Sequence, residues 1–254
     1  MLATDIDSAT ASAAAAGGAE KRAYVKRIFS EIAPRYDLLN HLLSLNIDKR
    51  WRRRAISKLG VERNPTGSYL DLCAGTLDVS AELARSAGFQ GFVIGADFAE
   101  PMLRAGAGKA RGSSISPVTA DAVDLPIESG SLAGAIVAFG IRNVAGLDAA
   151  LKEAFRVLAP RGRLVILEFS TPRARALRML YQAYFHHVLP AIGGLVSGHR
   201  TAYRYLPRSV ANFPVEEELA RRMENAGFTN VSWSSLSFGI AAIHVGEHPR
   251  SGTR

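Results

Sequence analysis

The chain has 254 residues, 48% of them apolar, with 31 Lys and Arg against 23 Asp and Glu for a formal charge of +8. That length buries one substantial core, and a single cysteine, Cys73, excludes an intrachain disulfide, a Cys-rich zinc site and an iron–sulfur cluster. The positive charge raises nucleic acid as a partner, but it is concentrated in Lys49, Arg50, Arg52, Arg53 and Arg54 around Trp51, with smaller groups at Arg173, Arg175 and Arg178 and at Arg221 and Arg222. Such a distribution reads first as a solvated helix face and second as contact with anionic lipid, so no nucleic acid partner is expected.

Residues 1–19 are rich in Ala, Ser, Gly and Thr, carry Asp5 and Asp7 and contain no Lys or Arg. They lack the basic and apolar regions of a secretory leader and are expected to form a disordered tail. Residues 20–254 are expected to form one domain: a helical cap (20–63), a core (64–170 and 214–247) and a lid (171–213). In the cap, Val25, Ile28, Phe29 and Ile32 fall at helical spacing. Pro34 should break that helix, a second apolar set runs from Leu38 to Leu45, and Asp48 is the expected N-cap of a third helix. No apolar run reaches the roughly 18 residues of a membrane span, the nearest being Val188 to Val196. A cytoplasmic protein, peripheral at the inner face of the membrane, is the expectation.

Beyond Gly67 the pattern becomes short apolar runs alternating with helical ones. Strands are predicted over Ser68–Cys73, Gly91–Asp97, Ile115–Thr119, Leu132–Phe139 and Gly162–Phe169. Helices are predicted over Leu77–Ala87, Ala99–Ala110 and Leu147–Leu158. A last helix, Val215–Ala226, leads into strands near Phe228–Leu236 and Gly239–His244. Strands apolar throughout and separated by helices require a mostly parallel, doubly wound α/β sheet covered on both faces, a Rossmann-like fold.

Three features on successive strands carry chemistry. The first strand runs through Asp71 into the turn Ala74, Gly75, Thr76, where glycine admits close approach of a ligand and the following helix offers free N–H groups; tight packing alone would also explain it. The second strand delivers Asp97, 22 residues after Gly75, placed to accept both ribose hydroxyls of a nucleotide or to cap the next helix. Asp121 and Ala122 follow the third strand, where the acid can receive an adenine amino group. All three converge on the carboxyl edge of the sheet, and the absence of G-x-G-x-x-G favours S-adenosylmethionine (SAM) over NAD. His186 and His187 point in different directions from a helix, so no metal is expected.

From Lys21 to His244 the chain resembles the demethylmenaquinone and ubiquinone C-methyltransferases, class I SAM-dependent methyltransferases. The resemblance lies in "IAPRYDLLNHLLSL", "WRRRAI", "YLDLCAGT", "GADFAEPML", "DAVDLP", "AFGIRNV", "LKEAFRVLAPRGRLVILEFS", "VLPAIGGLVSG", "YRYLPRSV" and "ENAGFTNV". It implies a seven-stranded sheet, SAM contacts at Thr76, Asp97, Asp121 and Ala122 beside Asp71 and Gly75, and substrate-side residues Tyr36, Arg142 and Asn143. It implies C-methylation of a polyprenyl quinol, demethylmenaquinol ahead of the ubiquinone precursor, with transient contact at a membrane surface; a homodimer is a further expectation. A phenol ionises near pH 10 (about 10 for tyrosine), so a cation that favours phenolate helps. Arg142 is the choice for that, with Tyr36 and Asn143 orienting the ring or simply bonding within a buried loop. Leu77 replaces the last glycine of the turn, which should narrow the methionine end. Ala138 replaces a serine, and His199 and Thr201 replace acids before "YRYL". The residues leave open methylation of a soluble metabolite, and SAM binding without turnover.

Overall fold

The computed structural model describes residues 18–33, 36, 44, 46–184 and 200–250. Pro34, most of the Leu38–Leu45 set, His186, His187, Val188–Val196 and His199 lie outside them, as do residues 1–17. The first helix, α1, spans Gly18–Ile32 and so begins two residues inside the expected tail. Helix α2 spans Ile47–Ile56. Then follow β1 (Ser68–Leu72), α3 (Asp78–Ala84), β2 (Phe92–Asp97), α4 (Glu100–Ala110), β3 (Ile115–Thr119), β4 (Leu132–Ala138), α5 (Leu147–Val157) and β5 (Leu158–Phe169). Two further helices, α6 (Arg175–Ala183) and α7 (Arg200–Ala211), precede α8 (Glu216–Asn225), β6 (Thr229–Leu236) and β7 (Ala241–Glu247).

The seven strands order as β3-β2-β1-β4-β5-β7-β6. The five β1–β5 strands pair in parallel, and β7 runs antiparallel between β5 and β6. Alternating side chains explain why these strands read as apolar throughout: Tyr69, Ile136, Val165 and Leu167 face one core with Trp51, Leu83 and Leu103. Leu70, Val137, Leu164 and Ile166 face the other with Leu151, Leu219 and Met223. In α5, Ala150, Leu151, Ala154 and Val157 lie on one buried stripe, so the helix docks on the second face.

Two expectations about the cap are corrected. Asp48 does not cap α2, because the helix starts two residues earlier than that cap requires, behind Asn46, whose left-handed backbone (φ 61°) turns the chain. Asp48 lies instead in the first turn, where it accepts from Ser44 Oγ at 2.6 Å and faces Arg52 one turn on at 3.4 Å. The basic run is also not a uniformly solvated face. Arg52 is only 7% exposed, and it reaches Asp78 at 2.5 Å, which Lys109 contacts from the other side at 2.6 Å. Buried charges persist only when paired, and this network ties α2, α3 and α4 together behind the glycine turn. Although burial opposes it, the two cations hold the Asp78 carboxyl below its ordinary range.

The strand β5 begins at Leu158, four residues ahead of the expected Gly162, because Leu158 itself pairs with Leu132 before an irregularity in the register. Strand β7 runs on to Glu247, whose carboxylate bridges Arg63 and Arg163 at 3.0 and 2.7 Å. No helix among the described residues is long and apolar enough to cross a membrane.

Candidate active site

The ends of β1, β2, β3 and β4 surround a cavity of about 420 Å³, within the roughly 300–1,000 Å³ of small-molecule sites. Its walls are mostly apolar, from Leu72, Ala96, Met102, Ala122, Val123 and Ala138. Asp97 and Asp121 stand on one side and Asn143 on the other, while α1 supplies Arg22 and Phe29. Tyr36 also lines it, its ring edge-on to Phe29 at 5.9 Å.

Each predicted cofactor residue can now be placed. Gly75 (φ 53°) lies on the wall beneath Met102 and Tyr36, and a Cβ there would project into left-handed strain. The N–H of Gly75 donates to Asp97 Oδ2 at 2.9 Å, and the N–H of Ala99 donates to Oδ1 at 2.8 Å. The N-cap of α4 is Ala99 and not Asp97; the Asp97 carboxylate braces the glycine turn and the residue before α4 and lines the cavity. Burial pushes its carboxyl above the ordinary range, opposed by these two backbone bonds. Asp121 lines the cavity, accepts from the N–H of Val123 at 3.2 Å and pairs with Arg22 at 2.8 Å.

Two candidates, Asp71 and Thr76, lie behind the wall instead. Asp71 is buried, with Oδ2 accepting both the N–H and the hydroxyl of Ser80 at 2.9 and 2.6 Å, so it clamps β1 to α3. Burial pushes its pKa up to about 7. Thr76 is buried with its carbonyl accepting from Lys109 at 2.9 Å. Gly106 is needed here, since a Cβ on it would lie 2.2 Å from the Thr76 carbonyl oxygen. Leu77 does not narrow the cavity. It takes the left-handed conformation (φ 65°) that glycine adopts without strain, and its fully buried side chain packs over Gly95, outside the cavity lining.

On the acceptor side, Ile141–Asn143 form a single tight turn. Arg142 is buried just outside the cavity wall: Nη1 donates to Glu168 Oε1 at 2.6 Å and to the Phe139 carbonyl, and the guanidinium lies over the Phe169 ring, 5.4 Å from its centroid. Lys21 on α1 donates to the Arg142 carbonyl at 3.0 Å. Glu168 was not anticipated, although an acid inside the apolar run "LVILEFS" is a signal for a paired buried charge. Arg22 carried no comparable signal. Arg142 faces an adjoining cleft with Tyr205 and Ser209. Around this turn, Asn143 Oδ1, Arg142 Nε and Tyr205 Oη are buried with no hydrogen-bond partner among the described residues. Native interiors leave few such groups unsatisfied, so a polar ligand bound at this turn could complete their hydrogen bonds.

Cys73 lies on the cavity wall, but burial, reinforced by Asp97 and Asp71, pushes its thiol well up, so it offers no thiolate nucleophile. Among the described residues no group of His, Cys, Asp and Glu could hold a metal. Two carboxylates at the ends of β2 and β3, an apolar slot between them and a glycine turn fit the ribose, the base and the amino-acid end of SAM.

Comparison with known proteins agrees. A SAM-dependent methyltransferase from Thermotoga maritima shares the fold with a TM-score of 0.60 at 20% identity, over 88% of this chain and 99% of that one. The [4+2]-cyclase SpnF shares it with a TM-score of 0.66 at 15% identity, over 89% and 96%, so the fold alone does not fix the reaction. Sequence relatives are much closer. The demethylmenaquinone methyltransferase of Thermus thermophilus is 51% identical over 225 residues, 87% of this chain and 100% of that one. The ubiquinone/menaquinone biosynthesis C-methyltransferase UbiE of Geobacter sulfurreducens is 43% identical over 232 residues, 90% of each. Residues 18–248 match the model of the ubiE/COQ5 methyltransferase family; the chain belongs to that family and is a SAM-dependent methyltransferase.

Proposed function

We propose that the enzyme methylates a ring carbon of demethylmenaquinol, the hydroquinol form of a polyprenyl naphthoquinone. The observation that supports this reading is a cavity lined by Asp97 and Asp121, the acids we assign to the nucleotide, and by Asn143, whose buried carbonyl oxygen has no hydrogen-bond partner among the described residues. The full-length match to the Thermus relative favours the naphthoquinol over the benzoquinol.

When bound, SAM supplies an electrophilic methyl carbon on a sulfonium. The protein must hold a nucleophilic ring carbon in line with it and exclude water. Asn143 accepts a hydrogen bond from a ring hydroxyl and so fixes the ring's rotation, and Tyr36 closes over the glycine turn. Losing the hydroxyl proton to water makes the ring strongly nucleophilic, and the methylated carbon then gives up its own proton to water to restore aromaticity. Arg142 lies behind the cavity wall with its charge matched by Glu168, so it acts as a positioning residue that fixes the Ile141–Asn143 turn. Tyr205, Ser209 and Phe213 line the cleft on the acceptor side, where they guide the prenyl tail. Because that tail resides in a bilayer, the enzyme works at a membrane surface.

The test is transfer of a labelled methyl group from SAM to a short-chain demethylmenaquinol by the purified protein, with the matching benzoquinol in parallel. Label in the naphthoquinol is expected. SAM binding without transfer to either quinol would sink the reading, and faster transfer to the benzoquinol would reverse the choice of ring.

A further inference from the structure

Phe238 is 88% exposed and stands in a turn where Ser237, Phe238 and Gly239 all have positive φ, at 46°, 60° and 91°. A left-handed phenylalanine is strained, and strain that packs nothing inside the fold points to a use outside it. The turn lies at the carboxyl edge of the sheet, because Ala241 at the start of β7 pairs with Phe169 at the end of β5. Trp51 donates to Ser237 Oγ at 3.0 Å, and its ring lies 6.1 Å from Phe139 on the cavity wall. A single aromatic layer therefore separates this exposed tip from the active site.

Two neighbouring helices add to the same face. One turn before Trp51, Ile47 is 39% exposed and shares the outer stripe of α2 with the exposed Arg50 and Arg54. In α6 the apolar stripe Leu177, Leu180, Tyr181 and Tyr184 is only half used: Tyr181 is buried beside Ile240, whereas Leu180 is 69% exposed. Arg175 precedes it, also exposed. Arg53 is matched by Glu82 and Arg173 by Glu217. Arg50, Arg54 and Arg175 have no acidic side chain within ion-pair distance among the described residues.

We propose that Phe238, Leu180 and Ile47 insert into the interface of an anionic lipid bilayer, with Arg50, Arg54 and Arg175 on its headgroups. Isolated apolar tips ringed by cations suit a bilayer surface. A second copy fits poorly, since a two-fold contact through this face would set the arginines against their own equivalents. The purpose of the face, bringing the cavity to a membrane-held tail, rests on the quinol reading; its existence does not.

The experiment is co-sedimentation of the intact protein with phosphatidylcholine vesicles, with and without about 30% phosphatidylglycerol, at low and high salt. The expected result is binding to the anionic vesicles that salt weakens. Partition should fall about tenfold or more in Phe238→Ser/Leu180→Ser, and Arg50→Glu/Arg54→Glu should lose the preference for anionic lipid. All variants should keep wild-type SAM affinity and turnover of a water-soluble short-chain quinol. Absence of wild-type binding to either vesicle overturns the proposal, as does unchanged binding by Phe238→Ser/Leu180→Ser. A dimer that Phe238→Ser dissociates, with vesicle binding unaltered, overturns it in favour of self-association. Vesicle binding that follows the predicted pattern without turnover of any quinol supports the docking face and sinks the quinol reading alone.

Discussion

The two ends of the cavity are built by different means. On the cofactor side each acid has a backbone partner close in sequence, Asp97 in Ala99, Asp71 in Ser80 and Asp121 in Val123, to which Gly75 and Arg22 add longer-range contacts with Asp97 and Asp121. On the acceptor side, polar groups meet across long stretches of chain, as Arg142 meets Glu168, and several keep a buried valence open. The cofactor end is thus preorganised by local turns. The acceptor end depends on a buried ion pair and on docked helices, and is completed by its ligand. Breaking that pair should have the largest effect on the molecule. Glu168→Leu leaves the Arg142 cation buried and unmatched and should cost about 3–5 kcal/mol of stability in urea unfolding. Arg142→Met/Glu168→Leu should recover most of that while leaving quinol turnover low. A silent Glu168→Leu would show that the pair does not hold the turn.

The opposite profile is expected from the cofactor end. Asp97→Ala removes the acceptor offered to the ribose and the brace on Gly75, and should weaken SAM binding by about 100-fold or more, the loss of one or two charge-assisted hydrogen bonds. Calorimetric titration with SAM measures this directly. Wild-type affinity in the variant would place the ribose elsewhere. Asp71 sharpens the same contrast, because it serves the cofactor end without lining it. Its pKa of about 7 lies above that of an unfolded carboxyl, so this group's contribution to stability is full below about pH 4 and is lost as pH rises through 7. Asp71→Asn keeps an acceptor for Ser80 but cannot ionise. The melting temperature of the variant should therefore gain a few degrees on wild type between pH 5 and 8. A constant gap across that range would mean that Asp71 does not change protonation there.

This contrast also accounts for what the sequence made legible. Strand and helix alternation, the glycine turn and the acids after β2 and β3 are local patterns, and each was readable to within a few residues. What escaped was set by distant partners. Arg52 looked like its neighbours in a basic run, yet its place is dictated by Asp78, 26 residues on. Asp48 had the composition of an N-cap, but Asn46 turned the chain first. Leu77 looked like an obstruction in the cavity, because its identity showed a missing glycine but not that its side chain turns into the core over Gly95. Glu168 lay within a strand and became interpretable only when Arg142 came to meet it.

The smallest change tests the cofactor end at its boundary with the acceptor end. Ala138 closes β4, is half-buried and lines the cavity where the two ends join. Neighbouring strands hold it rigidly, since it pairs in register with Leu167 of β5. A hydroxyl placed there would need little rearrangement, and the open cavity beside it leaves room for one extra atom. Ala138→Ser should therefore tighten SAM binding by up to about fivefold, the worth of one added hydrogen bond near 1 kcal/mol, with stability unchanged. A gain in affinity would mean that the cofactor runs past the end of β4 toward Asn143, joining the two ends as one site. Unchanged or weaker binding would confine the cofactor to the strands β1 to β3 and give the β4 end to the quinol alone.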